Sequence, residues 1–338
     1  MEKIDVWPLM TAEMQAAIRK GEELQAALPS AIRSASRPAE MRRAYAEVNR
    51  YWNKAPPPVA KVEDLVGDWG GGAVKLRLYH PQPEEERPLL IYLHGGGYVV
   101  GDLDTHDGIM RRLCLASGWA VLGLDYSLAP EARFPRQIDE VVGAIERLDG
   151  VLAGRRCRWD LLALGGDSAG AHLSVSCCLE LRARGLPQPA GLLLFYGGFG
   201  LEGSRSQALY GSDLDGLSES QRAFYRDAYT RSSQRDDPRY AVLKADLAGL
   251  PPSYLLTLTL DPLDDDSVAL DRALRKAGVP TLLRREDGLL HGYLKYAPEM
   301  AAARRVLEEA GAGLAALAEG RMTAWMEEVA QAPGDKRS

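Results

Sequence analysis

Cysteine is scarce in this 338-residue sequence, which contains only four such residues. They are Cys114, Cys157, Cys177 and Cys178, and no two of them have the C-x-x-C spacing of a zinc site or a redox pair. So few cysteines do not indicate a disulfide-stabilised scaffold either. The cysteine content therefore favours a reducing compartment and predicts neither a structural zinc site nor a disulfide framework.

Long apolar runs are also missing. No stretch approaches the roughly 20 apolar residues that a transmembrane helix needs. Residues 1–5 are mostly polar and lead into a polar helical pattern, without the basic start and apolar core of a secretory signal. We therefore expect a cytoplasmic protein with no membrane partner.

A basic stripe is the third absence. The sequence has 41 basic and 47 acidic residues, a net charge of -6, and no Lys and Arg run with interleaved aromatics that could follow a phosphate backbone. Nucleic acid is therefore not an expected partner. The composition, 46% hydrophobic and 26% charged, is typical of a folded soluble protein.

Short apolar runs alternate with amphipathic helical patterns from residue 74 onward. The predicted strands are residues 74–79, 89–93, 120–124, 161–164, 191–196, 254–260 and 281–285. Strands that alternate with helices need crossover connections, which build a mostly parallel sheet. The sequence therefore predicts an α/β fold with a mostly parallel central sheet and helices on both faces.

Two segments depart from this alternation. Residues 1–55 have a helical pattern, and residues 199–250 carry helix signals without a strand signal. We expect both to form a cap over the carboxyl edge of the sheet, where open α/β folds bind ligands. Removing residues 1 to about 40 should then change substrate preference more than stability. The predicted catalytic core comprises residues 56–198 and 251–315, and a helical tail covers residues 316–338.

The sharpest motif is Gly166-Asp167-Ser168-Ala169-Gly170, a G-x-S-x-G pattern. It lies directly between a predicted strand and a predicted helix, as a nucleophile elbow does. A serine on such a turn is held away from the backbone, at the positive end of the following helix. An ordinary turn would also match five residues, but this placement favours Ser168 as a nucleophile.

A glycine-rich loop, His94-Gly95-Gly96-Gly97, follows another predicted strand upstream of the elbow. Backbone N–H groups of such a loop, together with that of Ala169, can bind the oxyanion of a tetrahedral intermediate. The alternative is a phosphate-binding loop, but the glycines of this region lack the G-x-G-x-x-G spacing. We therefore predict an oxyanion hole from Gly95, Gly96, Gly97 and Ala169, with His94 in support.

Only two histidines, His172 and His291, follow Ser168. In hydrolases with this elbow the triad runs along the chain as Ser, then an acid, then His. No acidic residue lies between Ser168 and His172. His172 is therefore predicted to be a packing residue, and His291 is predicted to be the catalytic base.

Asp261 follows a predicted strand, at an edge where a carboxylate can accept the imidazole N–H of His291. Asp264 and Asp265 are the alternative acids. These two and Asp266 lack the pattern of an EF-hand and are typical of the acidic first turn of a helix. We therefore predict no metal site.

With these motifs the sequence resembles the hormone-sensitive-lipase-like family of α/β-hydrolases, most closely its bacterial acetyl esterases, from roughly residue 10 to residue 310. The resemblance implies an α/β-hydrolase fold with a helical cap, the triad Ser168, Asp261 and His291, and hydrolysis of short-chain acyl esters without a cofactor. It also implies supporting roles near the nucleophile for Asp167 and Glu131. The other shared segments are residues 103–107, 125–135 and 291–293.

The same resemblance is the only basis for two expected protein partners, a second copy of the chain and a transcriptional activator. Two alternatives to an esterase remain open from the residues. The triad and oxyanion hole would also serve amide or peptide hydrolysis. A regulatory binding protein with a vestigial pocket is the other.

Overall fold

The computed structural model describes residues 3–33, 36–69 and 72–331, and its core is an eight-stranded sheet. Part of the predicted tail, residues 332–338, lies outside the described residues. The strands are β1 (Lys61–Trp69), β2 (Gly72–His80), β3 (Arg87–Leu93), β4 (Ala120–Asp125), β5 (Cys157–Asp167), β6 (Gly191–Phe195), β7 (Ser253–Leu258) and β8 (Thr281–Glu286).

The strand order is β1-β2-β4-β3-β5-β6-β7-β8. The pairs β1 with β2 and β2 with β4 are antiparallel, and every later neighbouring pair is parallel. Parallel neighbours need crossover connections, which here are mostly helical. The predicted fold class, an α/β-hydrolase fold with a mostly parallel sheet, is confirmed.

The α-helices occupy both the crossovers and the ends of the chain. They are α1 (Ala12–Ala26), α2 (Ser30–Arg33), α3 (Pro38–Trp52), α4 (Asp107–Ser117), α5 (Arg136–Ile145), α6 (Leu148–Val151), α7 (Ala169–Ala183), α8 (Arg205–Leu209), α9 (Glu219–Tyr229), α10 (Asp264–Lys276), α11 (Ala301–Ala318) and α12 (Met322–Gln331). Short 3₁₀ helices cover Trp7–Leu9, Ser232–Gln234, Val242–Lys244 and Tyr293–Tyr296. Across the described ranges, none of these helices has the length and apolarity to cross a membrane.

The sequence pattern missed β1. This strand lies at the edge of the sheet, and only Gly67 and Trp69 of its residues are buried. An edge strand in contact with solvent tolerates charged residues. The sequence of β1 therefore mixes charged and apolar residues and lacks the apolar run by which the other strands were predicted. The other seven strands are buried on at least one face and were predicted within a few residues of their ends.

The core lies on both faces of the sheet. Along β3, Leu89 and Leu93 belong to one buried apolar cluster and Leu90 and Tyr92 to the other. Successive side chains of a strand point to opposite faces, so a central strand with helices on both sides is continuously apolar. This double burial holds the carboxyl ends of β3, β5, β7 and β8 together at one edge.

The amino-terminal helices are anchored to the core. Met14 of α1 is fully buried in the same cluster as Leu290, whose N–H donates to the Met14 sulfur. The N–H of Thr11 also donates to the carbonyl of Gly288, at 2.9 Å. Removal of residues 1 to about 40 would delete Met14 and Thr11 and expose the core surface that they cover. We therefore expect it to reduce stability, whereas the sequence predicted mainly a change in substrate preference.

Candidate active site

The turn between β5 and α7 contains Ser168. This residue has φ 54° and ψ -115°, a conformation with positive φ that non-glycine residues rarely adopt. The strained turn is held by the Ser168 N–H, which donates to the carbonyl of Phe195 at 2.8 Å. Such a turn raises the serine hydroxyl above the edge of the sheet.

Two glycines make this turn possible. A β-carbon at Gly166 would lie 2.3 Å from the carbonyl oxygen of Leu93, and one at Gly170 only 1.8 Å from the same oxygen. Both distances are far below van der Waals contact with backbone that cannot move aside. The end of β3 therefore passes against the elbow, and this places the glycine-rich loop after β3 beside Ser168.

The structure brings the predicted nucleophile, base and acid together. His291 Nε2 lies 2.8 Å from Ser168 Oγ, and His291 Nδ1 lies 2.7 Å from Asp261 Oδ2. Asp261 is fully buried, and its other carboxylate oxygen accepts the N–H of Leu263 at 2.8 Å. An ionised carboxylate only accepts hydrogen bonds, so Nδ1 carries a proton and Nε2 is free to accept from Ser168.

The pKa of His291 reflects two opposing effects. Burial by itself lowers the pKa of the imidazole, but the charge of Asp261 and the hydrogen bond to it raise it. The net result is a pKa above the usual value of 6.5. Asp261 therefore stabilises the imidazolium that would form if Ser168 gave its proton to Nε2.

The alternative acids have other partners. Asp264 pairs with Arg285 at 2.5 Å, and Asp265 accepts the N–H of Ser206 at 2.8 Å. Neither contacts His291 in the part of the chain that is described. Both lie in the first turn of α10, as predicted. The described residues include no group of three or more His, Cys, Asp and Glu side chains that could hold a metal ion.

Gly95 differs from the prediction, because its N–H is already engaged. It donates to Asp167 Oδ1 at 3.0 Å, and the same oxygen accepts the hydroxyl of Tyr92 at 2.8 Å. The assignment of Gly95 to the oxyanion hole is therefore wrong. Asp167 instead fixes the start of the glycine-rich loop, with His106 Nε2 lying 3.5 Å from its second oxygen.

The buried carboxyl group of Asp167 has a lowered pKa. Burial by itself would raise this pKa, but the neighbouring His106 and hydrogen bonds from His106 and Tyr92 bring it below its usual value. A charged acceptor makes shorter and stronger hydrogen bonds than a neutral one. The loop that carries Gly95 is therefore tied firmly to the residue preceding the nucleophile.

Three backbone N–H groups beside Ser168 remain free. Those of Gly96, Gly97 and Ala169 donate to no group among the residues that the structure describes. Gly96 and Gly97 have φ values of 121° and 59°, which glycine adopts without strain. Gly97, Ser168 and Ala169 line one cavity of about 620 Å³, which we call the catalytic cavity.

His94 lies beneath the loop. Its buried ring stacks on Tyr126 with the ring centroids 4.3 Å apart, and its Nδ1 lies 2.8 Å from the carbonyl of Gly95. Burial lowers the pKa of this imidazole to about 4, so the ring is neutral near pH 7. His94 therefore supports the loop through packing and one hydrogen bond.

Glu131 was predicted to support the site near the nucleophile, and in the structure its side-chain hydrogen bonds and ion pair go to α3. Its exposed carboxylate pairs with Arg42 of α3 at 2.6 Å. Arg42 also donates to the carbonyls of Val99 and Ala129, each at 2.8 Å. The pair ties an amino-terminal helix to the segment after the glycine-rich loop, a connection between distant residues that no local motif indicates.

His172 has the packing role that its position predicted. Its Nε2 lies 2.9 Å from the carbonyl of Tyr240, and its ring contacts that of Tyr98 edge-on. Burial lowers the pKa of this imidazole to about 4. A neutral histidine held in this way joins α7 to the segment after α9.

Comparison with known proteins agrees with this fold. The profile of a family described as having the alpha/beta hydrolase fold matches residues 90–295. The structure is similar to a hyperthermophilic esterase from the archaeon Pyrobaculum calidifontis, with 26% identity, 92% of this chain and 99% of that chain covered and a TM-score of 0.82.

Two proteins of metagenomic origin are similar as well. An ester hydrolase from the metagenome of Lake Arreo is 29% identical, with coverage of 91% of this chain and 99% of that chain and a TM-score of 0.83. A thermophilic carboxylesterase cloned from a metagenomic library is 29% identical, with coverage of 83% and 98% and a TM-score of 0.79.

Proposed function

The chain belongs to the α/β-hydrolase fold family, and we propose that it is a serine carboxylesterase that hydrolyses short-chain, acetyl-type esters through an acyl-enzyme intermediate. The observation that carries this proposal is the relay from Asp261 through His291 to Ser168, with distances of 2.7 and 2.8 Å. The sequence motifs of this chain are those of hormone-sensitive-lipase-like esterases, and the similar solved structures are described as esterases.

Acylation begins at the serine hydroxyl. Ser168 Oγ forms a bond to the ester carbonyl carbon while its proton passes to His291 Nε2, and the carbonyl oxygen becomes an oxyanion. The negative carboxylate of Asp261 stabilises the imidazolium formed in this step. Collapse of the intermediate breaks the bond to the leaving alcohol, which takes the proton from Nε2.

The oxyanion is bound by the free N–H groups of Gly96, Gly97 and Ala169. These donors belong to a fixed loop and the first turn of a helix, so they need no reorganisation when negative charge develops. Loss of one such donor typically costs about 100- to 1,000-fold in rate. The hydrogen bond from Gly95 to Asp167 contributes indirectly, because it holds the loop in place.

Deacylation repeats these steps with water. Water gives a proton to His291 Nε2 and adds to the acyl carbon, which regenerates the oxyanion. Its collapse releases the acid, and Ser168 Oγ takes the proton back. All bond changes are accounted for by Ser168, His291 and water.

Replacement of Ser168 by alanine tests this function. We expect hydrolysis of p-nitrophenyl acetate to fall by a factor on the order of 10⁶, because removal of a triad nucleophile leaves only binding and oxyanion stabilisation. Ser174→Ala is the matched control, since Ser174 is buried on the helix that follows Ser168 and, among the described residues, donates only to the carbonyl of Gly170. Full turnover by Ser168→Ala would refute the proposal.

The leaving group separates an esterase from an amidase. We expect the wild-type protein to hydrolyse p-nitrophenyl acetate far faster than p-nitroacetanilide, which carries the same acyl group. Equal turnover of the two compounds would favour amide hydrolysis on the same scaffold.

A further inference from the structure

Tyr225 of α9 stands between two cavities. One is the catalytic cavity, which contains Ser168. The other, of about 640 Å³, lies between the amino-terminal helices and residues 213–225, and we call it the N-terminal cavity. Tyr225 lines both cavities.

The ring of Tyr225 packs directly on the glycine-rich loop. A β-carbon built on Gly97 would lie 2.5 Å from two atoms of this ring, so the ring lies against the glycine backbone. The N–H of Gly97 is one of the proposed oxyanion donors. A substrate carbonyl bound there would therefore have the Tyr225 ring as its neighbour.

Both cavities combine charged side chains with apolar ones. The catalytic cavity has Leu201, Leu217 and Leu263 in its wall, and its charged residues are Glu202, Arg222, Arg226, Arg235, Asp236, Lys244 and Asp266. The N-terminal cavity has Glu22, Arg33, Asp213 and Lys295 in its lining, and its larger apolar residues include Met41, Tyr45, Val48, Val100 and Leu214. An alkyl chain that outgrows the catalytic cavity would therefore find further apolar surface beyond Tyr225.

We propose that Tyr225 sets the upper limit of acyl chain length by closing the N-terminal cavity off from Ser168. The N-terminal cavity is then a latent binding site for medium-length alkyl chains, which the wild-type protein does not reach. This inference rests on the proposed esterase function and specifies its substrate class.

Replacement of Tyr225 by alanine tests the inference. We expect the ratio of kcat/KM for p-nitrophenyl octanoate to that for p-nitrophenyl acetate to rise by about 10-fold or more, because even a single methylene in an apolar pocket is worth about that factor. Tyr225→Phe keeps the ring and should keep the wild-type ratio. Ser220→Ala is the control on the same helix, since Ser220 is exposed and lines neither cavity.

A second substitution shows where the longer chain binds. Val48 lies in the wall of the N-terminal cavity, away from Ser168. Adding Val48→Trp to Tyr225→Ala should fill the opened space and remove the gain for octanoate. If Tyr225→Ala does not fold, Tyr225→Val replaces it and should give a smaller rise in the same ratio.

The outcomes separate this inference from the proposed function. An unchanged ratio in a folded Tyr225 variant that still hydrolyses the acetate would overturn the inference alone, as would a gain that Val48→Trp leaves intact. A wild-type protein that hydrolyses no ester and is not labelled by a fluorophosphonate at Ser168 would overturn both.

Discussion

The carboxyl edge of the sheet and the amino-terminal helices, which belong to the predicted cap, are held in place in different ways. At the edge, Asp261 is fully buried and joined to His291 by a hydrogen bond of 2.7 Å. Among the amino-terminal helices, α3 is tied to the segment after the glycine-rich loop by an ion pair whose acid, Glu131, has a side chain that is 59% exposed. The proposed chemistry thus depends on buried hydrogen bonds at strand ends, whereas the predicted cap is held by packing and by weaker surface contacts.

The largest effect should come from breaking the edge at its acid. We expect Asp261→Asn to lower kcat for p-nitrophenyl acetate by about 10⁴-fold, because the amide can leave His291 in the wrong tautomer and cannot stabilise an imidazolium. Asp265→Asn is the matched control, since Asp265 lies in the next helix and contacts the N–H of Ser206 instead. Comparable losses in both variants would contradict the assignment of Asp261.

The same pair predicts a pH dependence. The base must be neutral, so kcat/KM should fall as pH falls through the pKa of His291, which lies above 6.5. Asp261 raises this pKa, and its neutralisation in Asp261→Asn should move the acidic limb of the residual activity to lower pH. If the acidic limb of the pH profile stays in place in Asp261→Asn, a group other than His291 is responsible for it.

A smaller effect should follow from loosening the loop beside the edge. We expect Asp167→Asn to lower kcat by about 10- to 100-fold with little change in KM, because a neutral acceptor holds Gly95 less firmly and the oxyanion donors act mainly in the transition state. Asp160→Asn is the control on the same strand, where the carboxylate is on the surface and pairs with Arg158. An equal rise in KM would indicate a defect in substrate binding instead.

The smallest effect should come from the cap. We expect Glu131→Gln to lower the free energy of unfolding by less than about 1 kcal/mol, because exposed ion pairs contribute little. Urea unfolding measures this change, and acetate hydrolysis should persist because Glu131 pairs with Arg42 and not with a residue of the triad. A large loss of hydrolysis would mean that the ion pair with Arg42 positions the loop that both flank.

The positions of Ser168, Asp261 and His291 could be predicted because each follows a strand, and parallel strands bring their carboxyl ends together. Which backbone N–H groups are free and which are hydrogen-bonded could not be predicted. Whether the N–H of Gly95 is free depends on its contact with Asp167, which forms only when β3 and β5 pair. The partner of Glu131 could not be predicted for a similar reason, since Arg42 lies on a helix far from it along the chain.

The predicted cap was the least predictable region. Residues 1–55 were assigned to it from a helical pattern and residues 199–250 from missing strand signals, but Tyr225 has no local motif that sets it apart from other aromatic residues. Its contact with Gly97 exists only because α9 folds over the loop. The contact between Met14 and Leu290 could not be predicted either, because the apolar spacing of a helix does not identify the surface against which its apolar face packs.

The most direct test of a buried relay that activates one serine is stoichiometric modification with diethyl p-nitrophenyl phosphate, mapped by peptide mass spectrometry. We predict one phosphoryl group per chain on Ser168, with loss of esterase activity in proportion to labelling, and no labelling at that position in Asp261→Asn over the same time. Activity that survives complete labelling of Ser168, or labelling of a different residue in step with inactivation, would contradict it.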